Sequence, residues 1–382
     1  MNVYLIAGES SGDAHAAVLM SELKQLEPAV QFYGAGGPKM RAVGGPMIFD
    51  WVHEAVVGVW DVAMKYPYFR RQFYRMHAEI KELRPDIVLF VDYPGFNLRL
   101  SRHLRRTGYK GKLVYYISPQ VWAWYRGRIR HMAKFLDLMM CIFPFEKGLY
   151  EAAGMRTEFV GHPMIEALRQ KRLSVDRDPN LVGLFPGSRE REVRRILPIM
   201  LASAELLGRR KPEFRFEVSA ASERLKELIH EILSNAGQTD WPVEVRGATE
   251  LMQRAAVGLV ASGTATMEAS FFELPFVLLY KVAWTTFVPG RLLVRVRYLG
   301  MPNILADQPI IPEFIQHQAV PENIAAAVWR LYSDPVARAT QIQEMRKVIE
   351  QVASVPAGGR PADVLLRFAQ GSNRPVDAAP AR

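Results

Sequence analysis

The stretch that decides the fold of this chain is Phe185-Pro186-Gly187-Ser188-Arg189-Glu190-Arg191-Glu192-Val193. An apolar run over 181–185 predicts a strand, Pro-Gly-Ser predicts a tight turn, and the residues that follow predict a helix to about residue 207. A helix start offers unpaired backbone N–H groups and the positive end of the helix dipole, so it can seat an anion. Gly187 lets the backbone approach a ligand closely, and Arg189 adds a planar fork that suits phosphate oxygens. The alternative is an ordinary strand–helix turn with a solvated arginine.

The length, composition and charge of the chain limit the class of protein to which it can belong. A chain of 382 residues with 49% hydrophobic and 23% charged residues is globular and suits two domains. Lys and Arg number 49 against 39 Asp and Glu, and the net charge of +10 indicates an anionic partner: nucleic acid, a phosphorylated metabolite or a membrane surface. The one cysteine, Cys141, excludes an intrachain disulfide framework, and its apolar surroundings predict a buried, inert thiol.

The first residues predict a strand rather than a targeting segment. Residues 1–8 have no basic start and only a short apolar run. No uncharged apolar run approaches the about 20 residues that span a bilayer. We therefore expect a cytoplasmic protein or one attached to a membrane face.

Strand and helix patterns alternate along the chain, which predicts an α/β fold with parallel sheets. The expected strands lie near 2–7, 30–33, 86–91, 112–117, 137–142, 157–160, 181–185, 214–219, 242–246, 256–260 and 276–279, and the first helices near 13–26, 69–83, 97–107 and 145–153. The expected organisation is two doubly wound, Rossmann-like domains facing across a cleft: 1–168 completed by helices in 350–370, a linker at 169–180, then 181–349 and a disordered tail at 371–382. Ligands of such sheets bind beyond the carboxyl ends of the strands.

Two loops of the first half place acidic side chains after strands. The first is Gly8-Glu9-Ser10-Ser11-Gly12-Asp13, where Ser11 or Asp13 can cap the next helix but capping gives no reason for Glu9. The second is Asp92-Tyr93-Pro94-Gly95-Phe96-Asn97. A carboxylate at the mouth of a strand suits a general base, and a capping role for Asp92 is equally open. Asn97 is expected to cap the following helix.

The second half repeats the strand–glycine turn–helix design in Ser262-Gly263-Thr264-Ala265-Thr266-Met267-Glu268. The hydroxyls and free N–H groups of Ser262, Gly263 and Thr264 suit a phosphate. Glu268, one turn further along, could accept both hydroxyls of a ribose, and no capping-box spacing explains it. Asn303, in the apolar loop 301–307, offers an amide that both donates and accepts.

Aromatic and basic residues cluster in three places. The loop 118–128 holds two Trp, one Tyr and two Arg, which suits stacking on a ring or packing against acyl chains, or else a helix–sheet packing corner. The stretches 56–76 and 284–298 interleave aromatics with Arg and Lys, which is typical of helices in a membrane interface. The alternative is an amphipathic helix against the core. The candidates for membrane or acyl contact are Trp60, Tyr66, Phe69, Phe73, Trp284, Leu292 and Leu293.

Signals for metals and covalent catalysis are weak. Asp176-Arg177-Asp178 lies in the expected linker rather than after a strand, and the histidines show no ligand spacing. No serine nucleophile elbow is present. We therefore expect no metal and no cofactor.

Seven motifs in order resemble those of the lipid-A-disaccharide synthases of Gram-negative bacteria, over about residues 1–370. They are Gly8-Glu9-Ser10-Ser11-Gly12-Asp13, Ser118-Pro119-Gln120-Val121-Trp122-Ala123-Trp124, Pro144-Phe145-Glu146, Val160-Gly161-His162-Pro163, Leu184-Phe185-Pro186-Gly187-Ser188-Arg189, Ala261-Ser262-Gly263-Thr264-Ala265 and Pro302-Asn303-Ile304-Leu305-Ala306. Small departures are Met301, where Leu is usual, and Met164, where an aliphatic residue is common.

The resemblance implies a GT-B glycosyltransferase that joins UDP-2,3-diacylglucosamine to 2,3-diacylglucosamine 1-phosphate (lipid X) through a β(1→6) bond and releases UDP. It implies Asp92 as the base, UDP contacts at Arg189, Glu268 and Asn303, and a nucleotide-side contact at Ser11. The full set of expected substrate contacts is Glu9, Ser11, Gly12, Asp13, Gln120, Gly187, Ser188, Arg189, Ser262, Gly263, Thr264, Glu268 and Asn303.

The resemblance also implies partners and a location. We expect a peripheral enzyme on the cytoplasmic face of the inner membrane, in contact with anionic lipid, and a possible homodimer. The nearest rival is another GT-B enzyme acting on a soluble UDP-sugar, such as an epimerase or a peptidoglycan transferase. Nucleic acid is not an expected partner, because only the charge suggests it and no RNA or DNA module is visible.

Overall fold

The computed structural model describes residues 1–52, 65–123, 127–284, 287, 296–353 and 359–371. The chain divides into two compact units. Unit 1 comprises Met1–Pro163 and Val352–Arg382, and unit 2 comprises Met164–Gln351. No helix among the described residues combines the length and apolar character needed to cross a membrane.

Unit 1 is built on one parallel seven-stranded sheet in the order β3-β2-β1-β4-β5-β6-β7. Its elements are β1 (Asn2–Ala7), α1 (Ser10–Leu26), β2 (Gln31–Gly36), α2 (Pro38–Gly44), β3 (Ile48–Asp50), α3 (Tyr66–Leu83), β4 (Ile87–Val91), α4 (Pro94–Arg106), β5 (Lys112–Tyr116), α5 (Gly127–Met132), β6 (Leu138–Cys141), α6 (Pro144–Glu151) and β7 (Thr157–Phe159). The expected strands of this half are confirmed, and β3 is an addition that the sequence pattern did not indicate.

Unit 2 is built on a parallel six-stranded sheet in the order β10-β9-β8-β11-β12-β13. Its elements are α7 (Pro163–Arg169), β8 (Asp178–Phe185), α8 (Glu190–Arg210), β9 (Arg215–Ala220), α9 (Glu223–Asn235), β10 (Val243–Val245), α10 (Ala248–Arg254), β11 (Ala255–Ala261), α11 (Thr264–Phe271), β12 (Phe276–Tyr280), α12 (Met301–Ala306), β13 (Glu313–Ile315), α13 (Pro321–Ser333) and α14 (Pro335–Ala353). Strand β8 therefore begins inside the stretch expected to be a linker.

The last described helix, α15 (Pro361–Ala369), belongs to unit 1. The Lys112 ammonium donates to the carbonyl oxygens of Phe368 and Ala369, at 2.9 and 2.6 Å. A cation at a helix C-terminus satisfies carbonyls that have no partner in the helix and interacts favourably with the dipole. The start of β5 thereby fixes α15 on unit 1.

The central strands explain why the sheets form. All five residues of β4 are buried, as are the last five of β1, because a parallel sheet covered on both faces selects continuous apolar runs. Helix α8 buries one stripe at helical spacing, and its one proline, Pro198, lies on the exposed side. Cys141 is buried at the end of β6, as the sequence predicts. Burial raises the pKa of its thiol, which favours the inert, protonated form.

Each sheet reverses its strand order at one point. In unit 1 the reversal lies between β1 and β4, and in unit 2 it lies between β8 and β11. The loops that follow these strand pairs diverge to opposite sides of the sheet and leave a crevice at its carboxyl edge. The four acidic or glycine-rich loops singled out from the sequence follow these four strands.

Candidate functional site

The turn after β4 holds Asp92 in a strained backbone conformation. Asp92 and Tyr93 have φ angles of 48° and 50°, so two successive residues with side chains lie in the left-handed region. The Asp92 N–H donates to the Tyr116 carbonyl at 3.0 Å. The Asp92 carbonyl accepts from the Tyr115 hydroxyl at 2.6 Å and from the Asn97 amide at 2.8 Å. These three bonds fix the backbone from which the Asp92 carboxylate projects.

The Asp92 carboxyl titrates close to neutrality. Burial, followed by the negative charge of Glu9, raises its pKa to about 6, while a hydrogen bond from the Tyr93 backbone opposes the shift. A general base works best when its pKa lies near the operating pH. Near pH 7 this carboxylate is therefore mostly ionised and is more basic than an ordinary aspartate.

The two loops of unit 1 are packed against each other through Tyr93. A Cβ atom on Gly8 would lie 2.2 Å from Tyr93 Cδ1, so only glycine fits at this position. On another side the Tyr93 ring meets Trp51, edge to face at 6.0 Å between centroids. The Trp51 indole donates to the Ala7 carbonyl at 2.7 Å, at the end of β1. Glu9 and Ser11, in the same loop, are exposed.

Two capping expectations in unit 1 are wrong. Helix α1 begins at Ser10 with Glu9 at its cap, so Ser11 and Asp13 lie inside it. Helix α4 begins at Pro94 with Tyr93 at its cap. The Asn97 amide therefore lies inside α4 and donates to the Asp92 carbonyl and, at 3.3 Å, to the carbonyls of Ile6 and Val91.

Asp13, expected to contact substrate, is buried, and its carboxylate accepts hydrogen bonds from the start of helix α2. Its Oδ1 accepts from the backbone N–H groups of Gly37 and Met40, and its Oδ2 accepts from Lys39, at 2.8 to 3.1 Å. Asp13 thus caps the start of α2 through a contact that is distant in sequence. A ligand contact by this carboxylate would have to replace one of those bonds. Gly12 is also buried, beside the Val91 carbonyl.

The turn after β8 has the geometry expected of an anion-binding loop. Gly187 has φ 108°, and a Cβ atom there would lie 2.8 Å from Glu192 Oε2. Arg189 is the cap of α8 rather than part of its first turn, and no side chain caps the helix. Its guanidinium is largely exposed and pairs with Glu192 at 3.1 Å. The first N–H groups of α8 are therefore open to an anion beside an accessible arginine.

The turn after β11 lies beside the first one, because β8 and β11 are paired up to Phe185 and Val260. Gly263 has φ 155° and caps α11 without a side-chain bond. Gly263 and Thr264 are exposed, and Ser262 is partly exposed. Glu268 is half-buried one turn into α11, where burial raises its pKa and the charge of Lys171 opposes the shift.

Asn303, expected to contact the nucleotide, is fully buried. Its amide nitrogen donates to the Ile311 carbonyl and to Glu313, and its oxygen accepts from the Ile311 N–H, each at 2.8 Å. These bonds tie α12 to β13. A direct contact between this side chain and a ligand would have to displace one of them.

Glu146 is a buried carboxyl to which the sequence reasoning gave no role. It accepts from the Trp122 indole at 2.9 Å and from the Phe143 N–H at 3.2 Å, and burial raises its pKa to about 7. The Tyr150 hydroxyl donates to the Pro119 carbonyl at 2.7 Å. Both contacts hold the loop on which Gln120 is exposed. The available signal was an acidic residue three positions after the apolar run 138–143 that contains β6.

The expected membrane contacts divide into three groups. Tyr66 and Trp284 are 58% and 60% exposed, as an interfacial role requires. Phe69 and Phe73 are half-buried against the core of unit 1, as the alternative of an amphipathic core helix expects. Trp60, Leu292 and Leu293 lie outside the described residues, as do residues 372–382 of the expected tail.

Among the described residues, no group of three or more His, Cys, Asp or Glu side chains could hold a metal ion.

Comparisons with known proteins agree on one family. The family model described as Lipid-A-disaccharide synthetase matches residues 3–357. A lipid-A-disaccharide synthase of Geobacter sulfurreducens is 36% identical over 374 residues, covering 96% of this chain and 97% of the relative. One of Myxococcus xanthus is 34% identical over 374 residues, with the same coverage of 96% and 97%.

Solved structures share the architecture at low sequence identity. UDP-GlcNAc 2-epimerase from Neisseria meningitidis, bound to UDP-GlcNAc, has a TM-score of 0.64 at 12% identity over 97% of this chain and 100% of that one. MurG from Acinetobacter baumannii has a TM-score of 0.55 at 12% identity over 97% and 99% of the two chains. The calicheamicin glycosyltransferase CalG4 has a TM-score of 0.56 at 14% identity over 98% and 99%. At these identities the likeness shows the fold, which is the GT-B arrangement of two Rossmann-like domains.

Proposed function

This chain belongs to the lipid-A-disaccharide synthase family, and on that premise we propose that it joins UDP-2,3-diacylglucosamine to 2,3-diacylglucosamine 1-phosphate with inversion at the sugar carbon. It is a UDP-sugar-dependent glycosyltransferase of lipid A biosynthesis. The product of the proposed reaction is a β(1→6) disaccharide 1-phosphate, and the second product is UDP.

The observation that carries the chemical part of the proposal is the Asp92 carboxyl with a pKa of about 6 at the reversal point of the first sheet. In the proposed step the 6-hydroxyl oxygen of the acceptor forms a bond to C1 of the donor sugar. The bond from C1 to the UDP oxygen breaks, and its electron pair leaves with UDP. Asp92 accepts the hydroxyl proton. One displacement of this kind converts an α-linked donor into a β-linked product.

Unit 2 supplies the proposed site for the leaving UDP. Negative charge grows on the diphosphate as the C1–O bond breaks. The open N-termini of α8 and α11, with the exposed Arg189, suit that charge. Glu268 is the proposed partner of the ribose hydroxyls. The hydrogen bonds between Asn303 and Ile311 favour a role in holding the loop between α12 and β13 over a direct contact with UDP.

The proposed place of action is the cytoplasmic face of the inner membrane, as the family resemblance implies. The acyl chains of both substrates favour a membrane surface. The exposed Tyr66 and Trp284 and the net charge of +10 support contact with anionic lipid.

The test is mass spectrometry of the product formed from both acylated substrates in detergent micelles. We expect a single disaccharide 1-phosphate with four acyl chains, and NMR of the new linkage should give the β anomer. A deacylated donor is the matched control and should react far more slowly. Efficient use of that donor, or an α-linked product, would overturn the proposal.

A further inference from the structure

A pocket with a volume of about 340 Å³ lies in unit 2. It opens at the carboxyl ends of β12 and β13, the same edge of the sheet as the turns after β8 and β11. Its walls come from three segments: Arg195 on α8, residues 281–284 after β12, and Gln316 with His317 after β13. None of these side chains has a role in the proposed transfer step.

The charged and titratable side chains in this wall are all basic. Arg195, Lys281 and His317 converge from separate segments, and no acidic residue is part of the described wall. Among the residues that the structure describes, neither the Arg195 guanidinium nor the Lys281 ammonium has a hydrogen-bond or carboxylate partner. The neighbouring Arg194, by contrast, pairs with Glu190 at 3.1 Å. Unpaired cations that share one concave site favour an anionic ligand.

The wall is held in place by a buried glutamine. Gln316 accepts from the Val282 N–H at 2.7 Å and donates to the Val282 carbonyl at 3.1 Å. Its φ angle of 52° puts a residue with a side chain in the left-handed region. Such strain persists only where the surroundings determine the conformation. The positions of Lys281 and His317 therefore follow from a specific arrangement of the chain.

The rim of the pocket is aromatic. The Trp284 indole is 60% exposed and meets the Phe287 ring at 5.6 Å between centroids. An exposed indole next to cations suits a ligand with a charged group and an apolar body. The pocket and the turn after β8 share helix α8, because Arg195 lies six residues after Arg189.

We propose that this pocket binds a phosphate monoester group carried by an acylated molecule. Such a group has a charge of about −1.5 to −2 at pH 7 and three acceptor oxygens, which match a guanidinium fork and an ammonium group. Two sources share this chemistry. One is the 1-phosphate of the acceptor, which rests on the proposed function, and the other is the phosphate monoester headgroup of phosphatidic acid in the bilayer.

The test compares Arg195→Gln and Lys281→Gln with Arg209→Gln, an exposed arginine of α8 outside the pocket. Two quantities are measured for the wild type and each variant: the KM values for acceptor and donor in micelles, and flotation with phosphatidylcholine vesicles with and without phosphatidic acid. A loss of one charged partner should weaken the interaction about tenfold. Thermal melting of each variant shows whether it is folded.

A rise in acceptor KM, with donor KM and kcat unchanged, assigns the pocket to the acceptor phosphate. Weaker binding to phosphatidic acid vesicles, with acceptor KM unchanged, assigns it to a lipid headgroup. The proposal is overturned if both readouts stay at wild-type values, or if Arg209→Gln has the same effect as the pocket variants. If the wild type forms no disaccharide, the proposed function fails, and the vesicle measurements still test the pocket.

Discussion

Glu9 and Asp92 follow adjacent parallel strands, and the negative charge of Glu9 helps to raise the pKa of the Asp92 carboxyl. The two residues are 83 positions apart, so the sheet, not the local sequence, brings the two loops together. Their interaction makes the proposed base sensitive to a residue that need not touch the acceptor.

Replacement of Asp92 by Asn should abolish most turnover while leaving UDP binding intact. General-base help is worth about 10²–10⁴-fold in rate, so we expect kcat to fall within that range. The measurement is kcat with both acylated substrates, with calorimetric UDP affinity as the control. Turnover near the wild-type level would show that Asp92 is not the base.

The pH profile should report the coupling between Asp92 and Glu9. The base must be ionised, so wild-type kcat/KM should fall as the pH drops through about 6. Glu9→Gln removes a negative charge that raises the pKa of Asp92, so the acid limb should move to lower pH. Burial is the larger cause of the shift, and the limb should stay above the ordinary aspartate value of about 3.9. An acid limb that does not move, or moves upward, would contradict this coupling.

Gly8→Ala should damage both stability and activity, because the new Cβ would lie 2.2 Å from the Tyr93 ring. Overpacking of this kind typically costs about 1–3 kcal/mol, and a displaced Tyr93 would move Asp92. Gly95→Ala is the matched control, since no atom lies within 4 Å of a Cβ there. Melting temperature and kcat should both fall for Gly8→Ala alone, and equal effects of the two variants would exclude this mechanism.

Arg189→Lys keeps the positive charge at the start of α8 and removes the planar fork. A bidentate contact to the diphosphate would be lost, so we expect UDP affinity and kcat/KM for the donor to fall about tenfold. Arg191→Lys, an exposed position one residue into the helix, serves as the control. Equal UDP affinity in Arg189→Lys and wild type would argue for a simple charge interaction.

The Glu146 carboxyl should destabilise the folded protein as the pH rises. Its pKa in the folded state is raised from 4.5 to about 7, so the folded state binds more protons than the unfolded state between these values. Its contribution to the free energy of unfolding therefore decreases as the pH rises from about 4.5 to 7. The stability of wild type relative to Glu146→Gln should be greater at pH 5 than at pH 8 in denaturant titrations. A constant difference would show that Glu146 does not titrate in this window.

The strand pattern and the loops of interest could be predicted because they depend on local information. A run such as Ile87–Val91 is apolar throughout, and a strand buried on both faces permits little else. Strands β3 and β13, with three residues each, were missed because their short runs carry no clear period.

The capping assignments failed for a different physical reason. Asp13 has the right chemistry for a cap, but the N–H groups it bonds belong to residues 24 to 27 positions away. Asn97 was assigned to a helix start that lies three residues earlier, at Pro94. The role of Tyr93 depends on the left-handed turn after β4, and that of Glu146 on burial beside Trp122, neither of which the sequence displays.

Because Lys112 binds the end of α15, unit 1 cannot complete its fold until the last helix of the chain has been synthesised. Unit 2 emerges from the ribosome before α15, although unit 1 contributes the first 163 residues. Nascent unit 1 therefore lacks α15, which packs against α1 in the complete protein, while unit 2 is synthesised and can fold behind it. A chaperone that shields apolar surface should accordingly be recruited to translation intermediates that end before Pro361.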